Sequence, residues 1–274
     1  MRWVTAVDGV RKIGRRAGYW LHSVGRSLPD AVYYRLAGMN YRYCGVATEK
    51  RVRHGSFRSY ELYNRHGNDW LLAALLDRCR DGEVVVDVGA NTGVYALSVA
   101  CEYPDATVVA IEPDPTTVER LRANIATNEG RTRTLVLAIG CGSTDGSVPF
   151  YRSSYHELSS FNRYNAERWG SRVVGCETVP IRRLDSLVAD GTIPPPDHLK
   201  IDTEGFGLAV LNGAREILET HRPIIYIEPH ARTAGESADH GETATGMRDL
   251  LGEANYAIIP GENGWVCVPE GDRE

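Results

Sequence analysis

The chain of 274 residues is 42% hydrophobic, enough to bury one sizeable core. Its 31 basic and 36 acidic residues leave a formal net charge of −5, which argues against a surface built for nucleic-acid backbones and leaves small molecules, glycans or lipids as partners. The six cysteines, Cys44, Cys79, Cys101, Cys141, Cys176 and Cys267, form no C-x-x-C pair and no zinc-finger spacing with histidine, so free buried thiols are expected.

The first expected element is a helix. Val7, Val10, Ile13, Ala17, Trp20, Leu21, Val24 and Leu28 recur at three- and four-residue steps, while Arg11, Lys12, Arg15, Arg16 and Arg26 take other faces. Such a basic amphipathic helix packs on its own domain or on a second copy of the chain; for residues 1–28 the alternative is an anionic membrane surface. No apolar run approaches the roughly 18 residues that span a bilayer, and the opening residues lack the apolar core of a secretory leader. The expected compartment is therefore the cytoplasm. Residues 1–60 read as a helical extension and residues 61–274 as one domain.

From Glu83 onward, short β-branched runs alternate with helical stretches, the pattern of parallel strands joined by crossover helices. Strands are expected over Glu83 to Val88, Thr107 to Ile111, Thr134 to Ala138, His198 to Ile201 and Ile224 to Glu228. Helices are expected over Gly93 to Cys101, Pro115 to Thr127, Phe206 to Thr220 and Thr245 to Glu253. The result is a doubly wound α/β sheet. Tyr256 to Ile259 and Trp265 to Val268, parted by the turn-forming Pro260-Gly261-Glu262-Asn263-Gly264, add a C-terminal antiparallel hairpin. Ser153 to Gly175 and Ala231 to Thr243 read as loops. The first mixes Tyr155, His156, Phe161, Tyr164 and Trp169 with polar residues, which suits either a lid over an amphipathic acceptor such as a sugar or a plain surface insertion.

The strongest local signal is Val84-Val85-Val86-Asp87-Val88-Gly89-Ala90-Asn91-Thr92-Gly93, a buried strand entering a glycine turn and then a helix. Gly89 and Gly93 let a ligand approach the backbone, and Ala90, Asn91 and the helix N-terminus offer N–H groups to it. The turn is not G-x-G-x-x-G, because Asn91 and Val94 stand where the second and third glycines belong, and this disfavours a nicotinamide cofactor. Asp87 suits a ligand amino group. Glu112, at the end of the next strand, can accept hydrogen bonds from both hydroxyls of a ribose.

Three segments carry a family resemblance: Asp87-Val88-Gly89-Ala90-Asn91-Thr92-Gly93, then Ile111-Glu112-Pro113-Asp114-Pro115 with Asn124 and Asn128, then Leu199-Lys200-Ile201-Asp202-Thr203-Glu204-Gly205. With Val210-Leu211-Asn212-Gly213-Ala214 and Ile227-Glu228-Pro229-His230 they follow in order over Gly82 to His230, and the chain resembles the FkbM family of methyltransferases. That resemblance implies a Rossmann-like class I methyltransferase fold, S-adenosyl-L-methionine as donor and a hydroxyl as the usual acceptor. Phe206-Gly207 departs from the family, which commonly has a small and then an acidic residue there.

Methyl transfer needs alignment of acceptor oxygen, methyl and sulfur, and removal of the hydroxyl proton. Asp202 and Glu228 follow the fourth and fifth strands and open into the crevice where doubly wound sheets bind ligands. His230 is a further candidate base, with an exposed loop histidine as its plain reading. Glu204 reads as either a catalytic group or a capping carboxylate for the following helix, and Lys200 as the holder of a strand-end carboxylate. Convergence of Asp202, Glu204, Glu228 and His230 on a divalent cation is the weaker alternative, and no metal is assigned. The rival readings are an NAD-dependent oxidoreductase, for which the Tyr-x-x-x-Lys pair is missing, and a non-catalytic scaffold.

Overall fold

The computed structural model describes residues 27–52, 55–62, 69–128, 133–229 and 244–271. Most of the helix expected from Val7, together with His230 and the loop over Ala231 to Thr243, lies outside them.

Helix α1 (Ser27–Met39) passes through a wider turn, Asn40–Cys44, to an antiparallel hairpin of β1 (Thr48–Arg51) and β2 (Ser56–Ser59). After α2 (Trp70–Arg78), the main sheet begins with β3 (Val84–Val88), α3 (Val94–Glu102), β4 (Thr107–Ile111), α4 (Pro115–Ala126) and β5 (Arg133–Leu137). A side excursion follows, made of β6 (Gly140–Cys141), β7 (Gly146–Ser153), the short helix α5 (Arg163–Ala166) and β8 (Val173–Arg182). The chain returns through α6 (Leu184–Ala189) to β9 (His198–Ile201), α7 (Gly207–Asn212), α8 (Arg215–Thr220), β10 (Ile224–Ile227), α9 (Ala244–Glu253), β11 (Tyr256–Pro260) and β12 (Trp265–Pro269).

The main sheet has seven strands in the order β11-β12-β10-β9-β3-β4-β5. The strands from β10 to β5 run parallel, and β12 is antiparallel to both of its neighbours, as the expected hairpin requires. Because side chains alternate along a strand, the two faces bury separate sets. Val86, Val88, Val109, Ile111, Leu199, Ile201 and Ile225 pack with Leu184, Val210, Leu218 and Leu251 on one face. Val85, Val108, Ala110 and Tyr226 pack with Leu72, Leu75, Ala96 and Val99 on the other.

Local chemistry explains where elements start. Asp69 caps α2 by accepting the Leu71 N–H at 2.9 Å, and Asp114 caps α4 through the Thr116 N–H at 2.9 Å, with Pro115 in the first helical position. The single helix expected over Phe206 to Thr220 is instead two. At the break, a Cβ on Gly213 would lie 2.0 Å from the Gly142 carbonyl oxygen, and the Asp185 carboxylate of α6 caps the second helix by accepting the Ile217 N–H at 3.0 Å. The segment Ser153 to Gly175 is not all loop. It starts and finishes in β7 and β8, which pair antiparallel within a three-stranded side sheet.

Of the six free cysteines, Cys79, Cys141 and Cys267 are buried, whereas Cys44 and Cys176 are exposed, contrary to the expectation for those two. Burial pushes the three buried thiols up to about 12. No helix among the described residues is long and apolar enough to cross a membrane.

Candidate active site

The residues just past the parallel strands stay in hydrogen-bonded register. Gly89 and Ala90 donate their N–H groups to the Ile111 carbonyl at 3.0 Å, Asp202 donates to Val88 at 3.1 Å and Glu228 to Ile201 at 3.1 Å. The ends of β3, β4, β9 and β10 therefore meet along one edge, where they border a cavity of about 250 Å³. Gly89, Ala90, Asn91, Glu112, Asp202, Glu204 and Glu228 line it. Asp87 lies beneath, 1% exposed, and Gly93 opens α3 behind the turn. His230 lies outside the described residues.

The turn after β3 depends on glycine. Gly89 has φ +79°, and a Cβ there would stand 1.9 Å from the Asp202 carbonyl oxygen. Gly93 has φ +94°, and its Cβ would meet Leu121 at 2.5 Å. The turn after β3 and the strand end bearing Asp202 thus come together backbone against backbone.

Lys200 organises the cavity floor. Its ammonium is 3.0 Å from an Asp87 oxygen, 3.6 Å from an Asp202 oxygen and 3.2 Å from the Gly89 carbonyl, with the Tyr95 ring centroid at 4.7 Å. Burial opposes its charge, but Asp87 and then Asp202 outweigh that and hold its pKa above the ordinary lysine value. Burial pushes the Asp87 carboxyl upward, against the pull of Lys200. The reading of Lys200 as the holder of a strand-end carboxylate extends to two of them.

Glu112 accepts the Asn91 N–H on one oxygen and the Asp114 N–H on the other, both at 2.9 Å. Burial raises its carboxyl to about 7, the bond from Asp114 partly offsetting the effect. Beside it the Asn91 side-chain oxygen is buried with no hydrogen-bond partner among the described residues, as is the Thr203 hydroxyl across the cavity.

Helix α7 opens at Phe206, whose side chain makes no cap bond, and Glu204 lies two residues before it. The Glu204 carboxylate pairs with the Arg168 guanidinium, and its carbonyl accepts from Ser160 Oγ at 2.6 Å and Asn165 Nδ2 at 3.0 Å. These bonds fasten the segment between β7 and β8 over the cavity as a roof, with Tyr155, His156, Phe161 and Trp169 among its lining residues. Phe206, the departure from the family pattern, packs its ring 4.7 Å from that of Phe161. Helix α1 completes the roof, Tyr34 stacking on Tyr155 at 4.8 Å. Asn124 and Asn128 fasten this N-terminal part by accepting the Tyr60 and Arg58 N–H groups at 2.9 and 2.8 Å, and Arg120 pairs with Glu61.

Asp202, Glu204 and Glu228 form no three-ligand cluster of metal-binding geometry among the described residues. The grouping that does, Cys79, Glu83 and His198, involves the starts of β3 and β9, at the other end of the sheet. His198 there bonds Glu83 at 2.8 Å and the Tyr226 hydroxyl at 3.2 Å, a buried polar network in its own right.

The family model described as "Methyltransferase FkbM domain" matches residues 87–258. The hexuronic acid methyltransferase AglP of Haloferax volcanii is 28% identical over 172 residues, 63% of this chain and 66% of that protein. The 2-O-methyltransferase NoeI of Sinorhizobium fredii is 28% identical over 156 residues, 53% of this chain and 62% of that protein. The matched region thus spans somewhat under two thirds of these relatives. Among solved structures, a methyltransferase FkbM from Methylobacillus flagellatus aligns over 70% of this chain and 44% of its own, with 21% identity and a TM-score of 0.47.

Proposed function

Because the chain belongs to the FkbM methyltransferase family, we propose that it moves a methyl group from S-adenosyl-L-methionine to a hydroxyl of a small-molecule, glycan or lipid acceptor. The observation that carries this reading is the meeting of Glu112 and the Gly89–Asn91 turn with Asp202 and Glu228 in one cavity.

The residues fit the donor. Each Glu112 oxygen holds one backbone N–H and keeps a lone pair for a ribose hydroxyl. The unpartnered Asn91 oxygen can accept a further N–H or O–H, and Gly89 leaves its backbone open to close approach. When bound, the donor supplies a methyl group on a sulfonium that is itself the leaving group.

The chain's own tasks are then alignment and proton removal. Asp202 is the proposed acceptor of the hydroxyl proton: it directly follows β9, which lies beside β3, and its carboxylate is 3.6 Å from the Lys200 ammonium. Glu228, one strand further, and His230 are the alternative bases. Glu204 acts by holding Arg168 and the roof in place. The relatives named for a hexuronic acid and for a 2-O position support a sugar hydroxyl as acceptor.

Calorimetry with S-adenosylhomocysteine and with NAD tests the reading. Micromolar binding of the first alone is expected. Binding of NAD, or of neither, overturns it in favour of an oxidoreductase or a scaffold.

A further inference from the structure

The outer face of α1 has a composition of its own. Val32, Arg35, Leu36, Met39, Arg42 and Tyr43 recur at steps of three and four along the helix and the wider turn that continues it, and all six are exposed. Val32, Leu36, Met39 and Tyr43 are 53%, 48%, 48% and 74% exposed, and Val46, just past the turn, is 53% exposed. A helix face turned to water ordinarily carries polar and charged groups. This one sets large apolar side chains beside two arginines, and between Asp30 and Glu49 the sequence has no acidic residue. The other side of the same helix turns inward: Ala37 is buried, and Tyr33 and Tyr34 line the cavity.

Charge is segregated along the chain in the same sense. Residues 1–60 hold twelve lysines and arginines against three acidic residues, while residues 61–274 hold 19 against 33. Apolar side chains flanked by arginines suit an anionic bilayer surface. The aliphatic groups enter the boundary between headgroups and acyl chains, the guanidiniums pair with phosphates, and tyrosine rests at headgroup level. Two nearer occupants suit the face less well. A second copy presenting the same face would bring arginines together, and so would residues 1–26, with six basic residues and one acidic.

We propose that this face of α1 docks peripherally on an anionic lipid bilayer. A helix with its side chains is about 10 Å across. Docking therefore sets the cavity wall formed by Tyr33 and Tyr34 within about that distance of the headgroups, where a lipid-borne acceptor, one of the classes named above, presents its hydroxyls. The docking itself does not depend on the methyl-transfer reading.

The full chain is sedimented with vesicles of phosphatidylcholine alone and with vesicles containing about 30% phosphatidylglycerol. Partitioning should be at least about ten-fold stronger onto the anionic vesicles and should fall several-fold in about 1 M salt. Leu36→Ser with Met39→Ser, and separately Arg35→Glu with Arg42→Glu, should each weaken it about ten-fold. Both double variants should keep the parent's melting temperature and its affinity for S-adenosylhomocysteine, because the altered side chains are exposed. No partitioning onto anionic vesicles, or partitioning that both double variants retain, overturns the proposal. A lower melting temperature in Leu36→Ser with Met39→Ser assigns the face to packing within the chain and overturns it too. A dimer in sedimentation velocity that the same variant dissociates assigns the face to a second copy, with the same consequence. Vesicle binding by protein that fails to bind S-adenosylhomocysteine would leave the docking in place and remove only the methyl-transfer reading.

Discussion

The Lys200 ammonium stands 3.0 Å from the Asp87 carboxylate, and only 4% and 1% of these two side chains are exposed. Removing one partner of such a pair leaves a buried charge uncompensated, which typically costs about 3–5 kcal/mol. Lys200→Met should therefore lower stability by that order in urea titration, and adding Asp87→Asn should recover much of it. The Lys200 pKa is raised on folding, so this stabilisation is complete at neutral pH and is lost only as pH climbs through its folded value in strong alkali. A Lys200→Met variant as stable as the parent would show that the pair does not hold the floor together.

Glu112 gives a pH dependence of the same sign in a lower window. Its carboxyl rises from an ordinary 4.5 to about 7 on folding, so the folded chain binds that proton more tightly than the unfolded chain does. Without ligand, its contribution is fully present below about pH 4.5 and disappears as pH rises through 7, a change of about 3 kcal/mol. A ribose hydroxyl donates to the ionised form, so S-adenosylhomocysteine should bind more tightly as pH rises through 7 and should release a proton below it. Calorimetry in buffers of different ionisation heat reads that proton. Glu112→Gln should abolish the pH dependence, and Glu112→Ala should weaken binding by about 1.5–3 kcal/mol.

Asp202→Asn keeps shape and removes the proposed base. Turnover should fall by about 10² to 10⁴ while S-adenosylhomocysteine affinity stays nearly unchanged, as the proposed place of Asp202 on the acceptor side requires. Full activity in single-turnover assays would move the role to Glu228 or His230.

Gly89→Ala tests the contact between turn and strand end. A methyl group 1.9 Å from the Asp202 carbonyl oxygen, at φ +79°, has nowhere to go. Stability should drop by at least about 2 kcal/mol and cofactor binding should be lost. A normal melting curve with normal binding would mean that the two backbones can separate without consequence.

The parallel strands were legible because both of their faces are buried and their sequences are almost continuously β-branched, as in Val84–Val88. The cavity-lining ends followed from them: Glu112, Asp202 and Glu228 fall where strand termini place them. The outer parts were not legible. Strand β1 reads Thr-Glu-Lys-Arg with Lys50 its one buried residue, so it has no apolar period to detect. Strand β8 alternates exposed and half-buried positions over most of its length, and it gains its identity only by pairing with β7. The attachment of Glu204 to Arg168 joins residues far apart in the chain, and such a contact has no local signature. Asn124 and Asn128 entered only through resemblance; their physical task, accepting N–H groups from Arg58 and Tyr60, belongs to a hairpin that the sequence pattern did not reveal.

Strand β12 lies between β10 and β11, although β11 precedes it in the chain. Strands β10 and β11 both pair with β12, and among the described residues β11 has no other neighbour in the sheet. During synthesis, β11 therefore emerges from the ribosome with no ladder to join and must wait for Trp265–Pro269 before its backbone N–H and C=O groups are satisfied. A fragment trimmed to the family match at residue 258 would lose β12 altogether and leave Ile225 and Tyr226 of a central strand at a raw sheet edge. Any shortened version of this protein made for expression has to keep residues 265–269, however far they lie from the chemistry.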